Sequence, residues 1–94
     1  MTSPGRPRRA ARARERLGLS VTVILHQARR ERGLTRAELA RRAQVSEQTL
    51  AKIEQGRSTD PGFTVVAAVA ASLGLRLDDL VERARQAATA EDES

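Results

Sequence analysis

The stretch Leu34-Thr35-Arg36-Ala37-Glu38-Leu39-Ala40-Arg41-Arg42-Ala43-Gln44-Val45-Ser46-Glu47-Gln48-Thr49-Leu50-Ala51-Lys52-Ile53-Glu54 decides how the chain folds. Thr35, followed by Glu38 three residues on, has the form of a capping box, so a helix is expected to start at Arg36. Ser46 is placed to cap a second helix. Leu39, Ala40 and Ala43 share one face of the first helix, and Leu50 and Ile53 share one face of the second. Val45 lies in the joint, where it can fill the angle between them. Small Ala40 stands where the two helices must cross closely.

Two short helices in that relation make a helix-turn-helix, whose second helix enters the DNA major groove. The stretch closely resembles the helix-turn-helix of the phage repressor and Cro (xenobiotic-response-element) family. The likeness continues through Ile53-Glu54-Gln55-Gly56 and Pro61, and over residues 20 to 82 it takes in about two-thirds of the chain. It implies an all-α fold, a five-helix lambda-repressor-like DNA-binding domain. Two positions depart from the family pattern. Gln44 stands where the turn usually has glycine. Either it is left-handed, at a cost of roughly 1–2 kcal/mol, or the turn adjusts and the second helix changes its angle. Thr59-Asp60 stands in a loop that is often basic in phage repressors, which argues against that loop holding DNA.

Charge is distributed unevenly. Residues 1–57 carry 14 basic and 5 acidic side chains, whereas residues 58–94 carry 3 and 7, for a net +5. A high-GC genome inflates arginine and alanine everywhere, but does not make the second half acidic. The asymmetry points to a polyanion, and the motif narrows it to duplex DNA. Ninety-four residues make one domain with one modest core. Phe63 is the one aromatic residue, so that core is aliphatic. There is no cysteine and no apolar run long enough to span a membrane, and the arginine-rich start lacks the apolar segment of a secretory signal. A cytoplasmic, nucleoid-associated protein is expected.

Taken in order, residues 1–19 hold six arginines against Glu15, with Pro4, Gly5 and Pro7 at the start. This basic arm is expected to be disordered in free solution, serving either as a DNA-tracking segment or as a solvated tail. Residues 20–88 form the DNA-binding domain. Its first helix, about 21–32, is capped by Ser20, buries Val21, Ile24, Leu25 and Ala28, and closes at Gly33. Asp60 and Pro61 are placed to start a helix that is apolar almost all round from Phe63 to Leu73, hence sandwiched. A last helix, about 77–88, begins with Asp78 and Asp79 in its first turn. The acidic tail, residues 89–94, is expected to be disordered.

On the second helix of the motif, Glu47, Gln48 and Lys52 fall on the groove side. Gln48 suits adenine, Lys52 suits guanine, and Glu47 can accept from cytosine or simply favour the helix N-terminus. Phosphate contacts are expected from Thr35, Arg36, Thr49 and Arg57. The resemblance assigns base reading to the positions of Glu47, Gln48 and Lys52, and backbone holding to those of Arg36 and Arg57. It also pairs Arg29 with Glu54 in a partly buried salt bridge, a pairing the residues alone do not suggest. Lone His26 has no co-ligand, so no metal and no cofactor are expected.

One recognition helix reads too few bases for a unique address, so a homodimer on two half-sites is expected, with Leu75, Val81, Ala84 and Ala88 as its interface. The leading reading is a sequence-specific regulator of transcription, most simply a repressor. The alternative is an antitoxin or adaptor that binds a partner protein, a toxin or a co-regulator, and autoregulates through the same motif. A controller protein of a restriction–modification system is a third reading. No small-molecule ligand is evident. An enzyme is not expected, because there is no cysteine, a single histidine and no phosphate-binding glycine loop.

Overall fold

The computed structural model describes the backbone of residues 5–57 and 62–93, and the side chains of residues 10–57 and 62–90. Five helices follow one another, with no strand among the described residues: α1 (Gly5–Glu31), α2 (Arg36–Ala43), α3 (Glu47–Glu54), α4 (Phe63–Ser72) and α5 (Leu77–Glu93). The fold is all-α, as the periodicity requires.

Four of the helices end alike. After α1, Leu34 N donates to Arg29 O and Gly33 N to Arg30 O. The same two-bond closure recurs as Val45 to Ala40 with Gln44 to Arg41, as Arg57 to Lys52 with Gly56 to Ile53, and as Leu75 to Ala70 with Gly74 to Ala71. The residue at the reversal must be left-handed each time. Gly33, Gly56 and Gly74 fill it three times, and Gln44 the fourth, at φ 58 and ψ 40. Of the two outcomes open for Gln44, the turn keeps its geometry and the residue bears the unfavourable backbone.

One aliphatic core unites Ile24, Leu25 and Ala28 of α1, Leu39, Ala40 and Ala43 of α2, Leu50 of α3, Val69, Ala70 and Leu73, and Leu80 and Ala84 of α5. Val45 packs against it from the α2–α3 joint. α1 packs chiefly on α5, and α2 chiefly on α4 and α3. Leu77 and Leu80 join the same core as Ile24 and Leu25, whereas Arg85, Ala88 and Thr89 line a groove with Ala13, Arg16 and Leu17. The two longest helices therefore run antiparallel.

That pairing corrects three boundaries. Ser20 caps nothing: it is buried inside α1, which runs back to Gly5. The basic segment expected to be disordered is helical from Gly5 onward, because the distal half of α5 supplies the partner that Ala13 and Leu17 lack in sequence. Pro7 is tolerated in the first turn, where amides have no intrahelical acceptor. The acidic tail is also helical, to Glu93, there being no glycine or proline after Gly74 to stop it. At α4 the N-cap is Gly62, while Asp60 and Pro61 lie outside the described residues. α4 is not sandwiched either. Val69 and Ala70 are buried, but Thr64 and Ala71 on the other side are exposed, and Phe63 in the first turn is 70% exposed although it shares the face of Ala70.

Candidate nucleic-acid interface

The interface begins with how α2 and α3 start. Thr35 has extended backbone (φ −75, ψ 160); its Oγ1 accepts from Glu38 N at 3.1 Å, and Glu38 Oε1 accepts from Thr35 N at 2.9 Å. The complete box orders the first turn of α2. The Glu38 carboxyl sits below the ordinary glutamate value, first because the Thr35 amide donates to it, then through the Thr35 side chain, with Arg42 and Arg41 adding attraction. At α3, Ser46 Oγ accepts from Thr49 N at 3.0 Å and donates to Thr49 Oγ1 at 2.7 Å. The hydroxyl hydrogen of Thr49 has no acceptor among the described residues and remains available to an external oxygen.

α3 then presents two faces. Leu50 (0% exposed) and Ile53 (2%) anchor it in the protein, while Glu47, Gln48 and Lys52 are exposed. Thr49 and Ala51 are half-buried at the margin, and Arg57 is exposed just beyond the helix. An ion cluster joins the end of α3 to the rest of the domain. Arg29 Nε lies 2.6 Å from Glu54 Oε2 and Arg29 Nη2 lies 3.0 Å from Oε1, a two-pronged contact, while Nη1 donates to Leu34 O at 2.8 Å. Glu54 is 1% exposed and Arg29 12%. One carboxylate thus ties the last turn of α1 to the last turn of α3.

A third member was not legible in the sequence. Arg36 Nε donates to Glu54 Oε1 at 3.1 Å, joining the first turn of α2 to the same carboxylate. No periodicity connects residues 36 and 54, so only the tertiary approach of the two helix ends makes the contact. Arg41 and Arg42 are both exposed in the last turn of α2.

The residues assigned to a dimer interface do not stay together. Ala84 is fully buried in the core, which removes it from any surface, because the α1–α5 pairing encloses that side of α5. Ala88 is half-buried and turned to the groove beside Ala13 and Leu17. Leu75 packs partly on the core, and Val81 is 41% exposed. His26 is half-buried, and no group of three or more metal-ligating side chains occurs among the described residues. No helix among the described residues is long and apolar enough to cross a membrane.

A protein-family model described as helix-turn-helix matches residues 25–80, more than half of the chain. The chain belongs to the helix-turn-helix family. This helix-turn-helix protein is of the xenobiotic-response-element type, and it is a DNA-binding regulator of transcription. The match runs from Leu25, midway along α1, to Leu80 in α5. The outer parts of those two helices lie beyond it. No curated protein and no solved structure gives a significant match.

Proposed function

We propose that this helix-turn-helix protein is a sequence-specific repressor that binds its operator as a homodimer, with α3 in the major groove. The observation that carries the reading is the division of α3, with Leu50 and Ile53 in the core and Glu47, Gln48 and Lys52 in solvent. Gln48 pairs with adenine N6/N7, Lys52 donates to guanine O6/N7, and Glu47 accepts from cytosine N4. Thr35, Arg36, Thr49 and Arg57 hold phosphates on either side and set the register.

Selection of bound duplexes from a random pool tests this. A palindrome with half-sites about 34–36 Å apart is the expected product, and a pool that never enriches overturns the reading. On the selected site, Gln48→Ala or Lys52→Ala relaxes one or two base positions by about 1–3 kcal/mol each. Equal losses on specific and random DNA count against base reading.

A second reading, an antitoxin or adaptor, draws support from Phe63. The single aromatic residue of the chain is 70% exposed, and aromatic anchors of this kind concentrate at protein interfaces. Purification that yields a stable heterocomplex, lost on Phe63→Ala, favours it over the homodimeric repressor.

A further inference from the structure

Glu54 accepts from two arginines of different helices and keeps almost no exposure of its own. Arg29 is spent on this contact and on the Leu34 carbonyl. Arg36 is not: it gives Glu54 only its Nε, and its side chain remains 35% exposed. Its two terminal nitrogens make no hydrogen bond among the described residues. The cluster therefore carries two positive charges against one negative and retains one unit of positive charge. A single phosphodiester would neutralise it.

Resting on the DNA-binding reading above, we propose that Glu54 is the positioning residue of a phosphate clamp. It grips Arg36 by Nε, so the guanidinium fork is already oriented when the DNA backbone arrives. An arginine can serve two oxyanions at once because its donors are spread over a rigid plane. Lysine carries the charge at one atom and has no second edge to offer. A free arginine side chain would also lose rotamer freedom on binding, and the grip of Glu54 removes part of that loss beforehand. The same carboxylate fixes α3 through Arg29, so phosphate holding and the angle of the reading helix share one anchor.

The test is binding as a function of salt, on the duplex enriched by selection and on an unrelated duplex of equal length. Arg36→Ala is expected to lower the log–log salt slope by about 0.9 on both duplexes. Arg36→Lys keeps the charge yet binds about tenfold more weakly than the wild type. In a Glu54→Gln background, Arg36→Ala costs less than it does in the wild type. If Arg36→Lys equals the wild type, or Arg36→Ala leaves the slope unchanged while lowering only the melting temperature, the clamp is overturned and DNA binding stands. A wild-type chain that binds no duplex removes the DNA-binding reading and the clamp together. Should Glu54→Gln fail to fold, the Arg36 Nε–H resonance of the free wild type decides. Slow exchange supports the grip, and exchange as fast as that of exposed Arg41 overturns it.

Discussion

The α2–α3 unit and the pair formed by the outer halves of α1 and α5 are held together in opposite ways. In the first, two eight-residue helices carry their own instructions: a capping box at Thr35, a serine cap at Ser46, and Leu39 and Leu50 fully buried against each other's neighbours. Isolated helices so short are not stable in water, so packing and the Glu54 cluster complete what the caps begin. In the second, long helices share an open groove lined by Ala13, Arg16, Leu17, Arg85, Ala88 and Thr89, none of them fully buried. The difference teaches where stability resides. A short helix with strong local signals and a buried anchor is held more firmly than a long one whose facing side chains stay half-buried or exposed.

The largest expected effect breaks the firm region. Glu54→Ala leaves Arg29 buried with its charge unpaired and should cost about 3–5 kcal/mol in urea unfolding. A loss below about 1 kcal/mol, the range of an exposed pair, would show that the cluster adds little. Next comes the loose region: Leu17→Ala removes half-buried apolar surface and should cost only about 1 kcal/mol. In hydrogen exchange, amides of the first turns of α1 should open well before those of α3. Equal protection in both would erase the contrast.

A smaller effect sharpens it from the other side. Gln44→Gly relieves a left-handed non-glycine residue but frees the unfolded chain, so a net gain of about 0.5–1 kcal/mol is expected. No gain would mean that the Gln44 backbone is relaxed by contacts of its side chain. The smallest effect is pH-dependent. Because the Glu38 pKa is lowered on folding, its contribution is present above the unfolded value and is lost as pH falls through the folded one. The melting-temperature advantage of the wild type over Glu38→Gln should therefore shrink on acidification. A difference that stays constant into acid would detach the capping box from the ionised carboxylate.

Much of the fold was open to reading from the residues. Thr35, Glu38 and Ser46 marked helix starts correctly because a cap bonds within its own turn. Leu50 and Ile53 told the inner face of α3 because a helix repeats every few residues. The errors lie where those rules have no reach. Ser20 reads as the start of α1 because Ala10, Ala13 and Leu17 make too faint a stripe without knowledge of α5. Ala84 reads as an interface residue because an alanine in a helix suits an interface and a core equally. α4 reads as sandwiched because it is apolar almost all round from Phe63 to Leu73, yet Phe63 in its first turn and Ala71 are exposed.

The sequence by itself determined the helix-turn-helix, its caps, and which side of α3 faces outward, all being interactions between residues within a turn or two. Only the tertiary structure decided that Arg36 shares Glu54 with Arg29, that α1 extends to Gly5 along α5, and that Ala84 is enclosed. An ion pair or a buried alanine depends on which distant segments meet. That depends on the close approach of helices through the core, which no local spacing encodes.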